Sequence, residues 1–178
     1  GCDRSNHVGA FMINAQTGAV SPVLLAERDN YNPVSLVEWS HDGRSVYYAR
    51  NDWAGQTSEI ILRNLESRQE RKIASLAGKN RFFTLLMLSP DGSTLVFAEG
   101  DQQTSDDIIL LDLRRRRITS YLKSQATEWC PEFSPDGRWL AYVSDESGRD
   151  EVYVRPFPSS GGRWQVSTEG GQEPLWAR

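Results

Sequence analysis

Residues 131–158 read PEFSPDGRWLAYVSDESGRDEVYVRPFP and combine a tight turn with two patterns typical of β-strands. In the turn, Ser134–Gly137, proline presets φ, the serine and aspartate side chains can bond to the local backbone, and glycine takes a positive φ. Arg138–Ser144 is short and rich in aromatic and β-branched residues, which predicts a strand. A polar loop, Asp145–Asp150, leads to a second predicted strand, Glu151–Phe157, which prolines end.

The same turn occurs in three places along the chain. WSHDG at 39–43 precedes RSVYYAR, LSPDG at 88–92 precedes STLVFAE, and FSPDG at 133–137 precedes RWLAYVS. The copies follow one another at roughly 45–50 residues, which marks an internal repeat. After each copy come a polar loop, a second apolar strand and a last, more polar strand, and an apolar stretch before each turn supplies one strand more. Each copy therefore predicts a unit of four strands.

This repeat predicts an all-β fold, a β-propeller of four-stranded antiparallel blades, because propeller sheets are covered on both faces by their neighbours. The predicted boundaries are 34–80, 81–126 and 127–172 for complete blades, 1–33 for a partial blade with third and fourth strands, and 173–178 for the first strand of a further blade. All belong to one propeller domain of about four blades. Because the chain starts and stops inside blades, we expect a fragment of a larger, six- to eight-bladed ring. Its open edges would favour self-association.

Composition and charge narrow the functional classes. The chain has 178 residues, a net charge of −4 and a pI of about 5.3. A protein that binds nucleic acid would present a clustered basic surface, which this composition does not favour. No apolar run approaches the ~18 residues of a membrane-spanning helix. We therefore expect neither a nucleic-acid partner nor a membrane span.

Few residues are suited to catalysis or metal binding. Histidine occurs only as His7 and His41, and the sequence has no nucleophile elbow, zinc-binding motif or phosphate loop. Cys130 lies in a predicted innermost strand, where a small buried residue is expected rather than a nucleophile. Bonds to the local backbone explain the aspartate of each turn better than a metal site does, and loop 144–148 lacks the ligand spacing of a calcium loop, although calcium binding stays open. We predict no enzyme activity, no catalytic residue, no metal and no cofactor.

The third copy carries a family resemblance. FSPDGRWLAYVSDESGRDEVYVRPFP, followed by GGRWQVSTEGGQEPLWAR, resembles the WD40-like repeats of the TolB-type six-bladed propellers. Within that family it resembles most the bacterial propellers appended to serine/threonine protein kinases and related regulators. The resemblance covers residues 34–178 well and 7–33 weakly. Leu88 replaces the usual aromatic residue in the second copy, and His41 replaces the usual proline in the first.

The resemblance implies a non-catalytic scaffold that binds a protein, peptide or small ligand through the loop face of the propeller. The alternative that it implies is a sensor or gating propeller of a kinase or a prolyl-oligopeptidase-like hydrolase, with the catalytic domain outside this chain. A third alternative, a propeller lyase or lactonase, is disfavoured by the scarcity of histidine. The resemblance also implies a bacterial protein in a periplasmic or extracytoplasmic location rather than a cytoplasmic one.

Propeller geometry indicates where a partner would bind. The loops from second to third strands and the loops between blades emerge on the same face. Because acids outnumber bases among the residues of these loops, we expect a polar or cationic partner. Trp53 adds an aromatic side chain of the kind that often anchors interfaces, although folding back over its own blade is the alternative role. The candidate residues are Asp52, Trp53, Arg81, Asp101, Asp106, Glu128, Asp145, Arg149 and Glu173.

Overall fold

The computed structural model describes residues 7–27, 34–52, 57–77, 81–101, 106–158 and 161–177. The regular elements in these ranges are all β-strands, and they form two compact units, Gly1–Gly78 and Lys79–Arg178. Each sheet is antiparallel with its strands in chain order. Among the described residues, no helix of the length and apolarity needed to cross a bilayer is found. The prediction of an all-β chain built from four-stranded antiparallel blades is confirmed.

The first unit contains a two-stranded and a four-stranded sheet. The two-stranded sheet pairs β1 (His7–Ile13) with β2 (Val20–Glu27). The four-stranded sheet consists of β3 (Val34–Trp39), β4 (Ser45–Asp52), β5 (Thr57–Asn64) and β6 (Glu70–Ala77). A buried apolar cluster with members from β2, β4 and β5 forms the core of this unit, and it consists of Val23, Leu24, Val46, Tyr48 and Ile61.

The second unit contains two four-stranded sheets. The first consists of β7 (Arg81–Leu88), β8 (Thr94–Asp101), β9 (Asp107–Asp112) and β10 (Arg117–Leu122). The second consists of β11 (Glu128–Phe133), β12 (Trp139–Ser144), β13 (Glu151–Pro156) and β14 (Trp164–Gln165). Each sheet is a blade whose middle strands are buried, as the nearly continuous apolar runs predict.

One core joins the two blades of the second unit. Its buried members come from both sheets and are Val96, Ile108, Tyr121, Leu122, Phe133, Leu140, Tyr142 and Tyr153. Directional contacts cross the same interface: the Tyr121 hydroxyl donates to the Pro156 carbonyl oxygen at 2.6 Å. The Tyr121 ring also lies beside the Phe157 ring, with their centroids 6.2 Å apart. The two blades therefore form one packed body.

The repeated turn has the same hydrogen bonds in each copy. In the second copy, Ser89 Oγ donates to Asp91 Oδ1 at 2.6 Å, and the Ser93 amide donates to the same oxygen at 3.0 Å. The Thr94 amide donates to Ser89 Oγ at 3.0 Å. Equivalent bonds form around Asp42 and Asp136 in the first and third copies.

These bonds assign the repeated aspartates a structural role. Hydrogen bonds to an ionised carboxylate favour its charged form. The neighbouring serine hydroxyl and backbone amide therefore lower the pKa of Asp42 and Asp91, and they lower that of Asp136 to about 2. Gly137 closes the turn at a φ of 67°, as the turn chemistry requires. The prediction that these aspartates are turn residues is confirmed.

The last strand of the third blade is shorter than the sequence indicates. The pattern predicts a strand over Arg163–Thr168, but β14 contains only Trp164–Gln165. Beyond it, the Val166 amide still donates to the Val152 carbonyl oxygen at 2.8 Å. Side chains then make the contacts: the Val152 amide donates to Ser167 Oγ at 2.8 Å, and Ser167 Oγ donates to the buried Glu151 carboxylate. Glu151 also accepts from the Gly170 amide at 2.9 Å. A buried carboxylate therefore holds residues 167–170 in place of strand pairing.

Two further differences concern the innermost strand and the end of the chain. Cys130 is half-buried rather than buried, and its φ of 52° lies at an irregular point in the β11–β12 register. Residues 174–177 carry no strand pairing, although Trp176 Nε1 donates to the Glu132 carbonyl oxygen at 3.1 Å. The further blade predicted to begin at 173–178 stays a prediction.

Candidate functional site

A polar pocket lies in the second unit, between the loop that joins its two blades and the loop between β12 and β13. Its volume is about 590 Å³. Both loops are of the types that the sequence predicts to share one face, a blade junction and a connection from second to third strand. The lining residues are Ser124, Gln125, Ala126, Asp145, Glu146 and Gly148.

Backbone and side-chain bonds fix the two loops against each other. The Thr127 amide donates to Asp145 Oδ1 at 2.8 Å, and the Asp145 amide donates back to the Thr127 carbonyl oxygen at 3.4 Å. The Gly148 amide closes a turn on the Asp145 carbonyl oxygen at 2.8 Å, with a φ of 93° that favours glycine. The pocket is therefore largely formed before any partner binds.

A buried carboxylate lies directly behind this pocket. Glu128 is the first residue of β11 and only 3% exposed. Its Oε1 accepts a hydrogen bond of 2.5 Å from Ser124 Oγ, and Ser124 lines the pocket. Its Oε2 is buried and has no hydrogen-bond partner among the described residues. Because an unsatisfied buried oxygen is costly, this carboxylate is an unusual feature that calls for a functional explanation.

The environment of Glu128 disfavours its ionised form. Burial is the main cause that raises its pKa, and the negative charges of Asp107, Glu146 and Asp145 raise it further. The hydrogen bond from Ser124 acts in the opposite direction. A buried group with a perturbed pKa beside a pocket is a recognised sign of a functional site.

Some of the surrounding acids already have cationic partners. Lys123 Nζ lies 3.4 Å from Asp107 Oδ2, and the Arg163 guanidinium lies 2.6 Å from Glu146 Oε2. Arg163 also lies over the Tyr153 ring at 5.8 Å from its centroid. No basic residue is among the described residues that line the pocket, so its wall carries a negative charge.

Three of the candidate residues predicted from the sequence come together here. Asp145 lines the pocket, and Glu128 lies behind its wall. The carbonyl oxygen of Asp106 accepts from the Glu128 amide at 2.8 Å, and burial raises the pKa of the half-buried Asp106 carboxyl, with a smaller contribution from Asp107. The sequence predicts an exposed Glu128 at the junction between two blades, but its side chain is buried.

The other candidate residues do not line this pocket, or they lie outside the described residues. Arg149 Nε donates to Glu151 Oε1 at 2.8 Å, and its guanidinium also donates to the Thr168 carbonyl oxygen. Glu173 is exposed after β14 with a φ of 54°. Trp53 lies outside the described residues. Three candidates are described only by their places at strand ends, and these are Asp52, Arg81 and Asp101.

Of the residues that line the pocket, only Asp145 is among the candidates predicted from the sequence. Ser124, Gln125 and Ala126 belong to a polar junction between blades, and Glu146 and Gly148 follow a predicted candidate in its loop. The polar character of residues 124–126 and their place between two predicted strands could have identified this junction as part of the site. Among the described residues, no group of three or more histidine, cysteine, aspartate or glutamate side chains is arranged to hold a metal ion.

We expect the Glu128→Gln variant to be more stable than the wild type at pH 7, by about 1 kcal/mol, because glutamine keeps the shape of the side chain and removes its buried charge. The folded-state pKa of Glu128 is raised above the ordinary 4.5, so its ionisation destabilises the fold at pH values above the raised pKa. The wild type should recover this stability as the pH falls through the raised pKa, and the variant should not. Urea unfolding at several pH values measures the difference.

The exposed Glu169→Gln variant serves as the control, because it removes the same charge from the surface of the same unit. Its stability should change by less than about 0.5 kcal/mol. A Glu128→Gln variant that is less stable than the wild type at pH 7 would contradict the account of Glu128.

A family model described as the TolB beta propeller domain matches residues 6–177. The structure of TolB from Acinetobacter baumannii is 20% identical with a TM-score of 0.71, over 90% of this chain and 37% of that one. A prolyl endopeptidase structure is 16% identical with a TM-score of 0.65, over 89% of this chain and 25% of that one.

An oligogalacturonate lyase in complex with manganese is also similar, with 16% identity and a TM-score of 0.63, over 92% of this chain and 43% of that one. At these identities the likeness shows the fold alone. The chain spans less than half the length of each of these three proteins.

Proposed function

The chain belongs to the TolB β-propeller domain family, and from that premise we propose that it is a non-catalytic interaction scaffold. Its partner is a protein or peptide that binds at the loop face, in the pocket between residues 124–126 and 145–148. The observation that carries the proposal is the combination of a preformed polar pocket with a buried, incompletely satisfied carboxylate behind its wall.

The pocket is pre-organised for binding. The mutual bonds between Thr127 and Asp145 fix the two loops before binding, so little conformational entropy is lost when a partner enters. An open polar pocket of this size suits a few side chains of a peptide better than a fully enclosed small molecule. Both features support binding rather than chemistry.

The same proposal includes a bacterial, extracytoplasmic location and a relationship to propellers appended to serine/threonine kinases, both of which rest on resemblance. A second candidate function is a sensor or gating propeller of a hydrolase whose catalytic domain lies outside this chain. The likeness to a prolyl endopeptidase structure favours this candidate. A scaffold and a gate both require binding at the loop face, so the first experiment is common to them.

Selection from a library of displayed random peptides against the immobilised full chain tests the proposal. We expect enriched peptides whose affinity falls at least about tenfold, equivalent to roughly 1.4 kcal/mol, in the Gln125→Trp variant. Gln125 is an exposed lining residue, so the bulky indole fills the pocket and leaves its carboxylates in place.

The matched control is Gln69→Trp, which changes an exposed glutamine in the β5–β6 turn of the first unit. Its affinity for the same peptides should equal that of the wild type. The proposal fails if no peptide is enriched, or if the enriched peptides bind the Gln125→Trp variant as tightly as the wild type.

A further inference from the structure

We propose that this pocket accepts the cationic side chain of an arginine or lysine presented by a partner peptide. The inference rests on the proposed function and deepens it, because it assigns the chemistry that the pocket recognises. Its basis is the distribution of charge and of hydrogen-bonding capacity around Asp145 and Glu128.

The first observation is the unmet hydrogen-bonding capacity of Glu128. Glu128 is only 3% exposed, and its Oε2 is buried and lacks a hydrogen-bond partner among the described residues. The other oxygen bonds to Ser124, which forms part of the pocket wall. The unsatisfied charge therefore lies one side chain behind the pocket, where a cation in the pocket would stabilise it.

The second observation is the sign of the charges on the pocket wall. Asp145 and Glu146 line the pocket, and the described lining contains no basic residue. Glu146 is already paired with Arg163. Asp145 bonds to the Thr127 amide through Oδ1. The negative field of Asp145 and Glu128 therefore remains to be balanced by a ligand.

The third observation is that this loop already binds a guanidinium in a neighbouring depression. Arg163 pairs with Glu146 at 2.6 Å and lies over the Tyr153 ring, in a depression of about 410 Å³ that these residues line. The two depressions share Glu146. A guanidinium or ammonium from a partner would repeat, in the adjoining pocket, an arrangement that the chain makes with its own arginine.

A cationic side chain also fits better than a metal ion. The described residues contain no group of three or more ligands arranged for a metal. The pocket volume of about 590 Å³ is much larger than an ion requires. A side chain with an aliphatic stem can fill this volume and place its charge at the wall beside Ser124.

Nuclear magnetic resonance titration of the full chain tests the inference. The probes are N-acetyl-arginine amide and N-acetyl-lysine amide, with N-acetyl-glutamine amide as the neutral counterpart. We expect saturable shifts of the Ala126 and Gly148 amide signals with both cations and none with the neutral compound. Raising the sodium chloride concentration should weaken binding, because the charges of an open pocket are screened.

Asp145→Asn is the decisive variant, because asparagine keeps an acceptor for the Thr127 amide and removes only the charge. It should weaken binding of both cations roughly fivefold. Glu128→Gln should weaken it similarly. Asp112→Asn is the matched control, because Asp112 ends β9 and does not line the pocket. The substitution removes one charge and keeps an acceptor for the Arg115 amide, so binding should be unchanged.

Each contrary outcome has a defined meaning. Equal binding of the neutral compound, or an Asp145→Asn variant that binds cations as the wild type does, overturns the inference. If peptides selected on the chain are neutral yet lose affinity in Gln125→Trp, the scaffold function stands and the cationic specificity fails. Spermidine that binds more tightly than arginine-containing peptides would assign the pocket to free polyamines and would also overturn the inference.

Discussion

Replacing Leu140 with alanine should lower the free energy of unfolding of the second unit by about 2–5 kcal/mol. Leu140 is fully buried in the core that joins the two blades of that unit. Its side chain belongs to the same cluster as Val96 and Ile108 of the neighbouring blade. Truncation would therefore leave a cavity between two sheets, and tightly packed aromatic neighbours such as Tyr142 limit the collapse that could fill it.

Urea unfolding followed by near-ultraviolet circular dichroism measures this effect. The control is Leu175→Ala, because Leu175 is 88% exposed and its truncation should change stability by less than about 0.5 kcal/mol. If Leu140→Ala fails to fold, the milder Leu140→Val variant can be measured instead. Its free energy of unfolding should fall by about 1 kcal/mol. A loss below that of the Leu175→Ala control would show that the two blades do not share a packed core.

Replacing Phe97 with alanine should cost about 3–5 kcal/mol. Phe97 is fully buried in β8, on the opposite face of the strand from Val96. Its ring meets that of Phe83 edge to face, with centroids 4.7 Å apart and an interplanar angle of 83°. Such a pair contributes about 0.5–1.5 kcal/mol beyond the area that it buries, so the loss should exceed that of an aliphatic truncation of similar area.

Phe97→Leu separates the two contributions, because leucine keeps most of the buried volume and removes the ring contact. We expect a loss of about 1–2 kcal/mol for this variant, clearly smaller than for alanine. A double-mutant cycle with Phe83→Leu isolates the interaction between the two rings. A coupling energy indistinguishable from zero would contradict the ring-pair explanation.

The blade architecture could be predicted because its determinants are local. The serine, aspartate and glycine of each turn form their bonds within five positions along the chain, so the residues needed for the turn are visible in one short motif. The middle strands, such as Asp107–Asp112, are recognisable as short apolar runs because residues on both faces of these strands are buried. Because the motif and the strands around it recur, the sequence also predicts that each complete blade has four strands.

The candidate site could be predicted only in part, because burial depends on contacts between distant segments. The sequence places Asp145 correctly in a loop but gives no sign that Thr127 will bond to it. Glu128 begins a strand at a blade junction, and its burial depends on the loop that folds over it from Ser124 onward. A buried carboxylate and an exposed one have the same letter in the sequence, so only the fold distinguishes them.

The short outer strand of the third blade bears on aggregation. A long, flat outer strand offers a row of unpaired backbone groups to which another chain can add. Here β14 pairs with β13 only at Gln165 and Trp164. The segment that follows is tied to Glu151 by Ser167 and Gly170 rather than held straight as a strand. A further chain could add to this sheet, as in amyloid growth, only by pairing with the two residues of β14. Two residues are too few to hold an added strand.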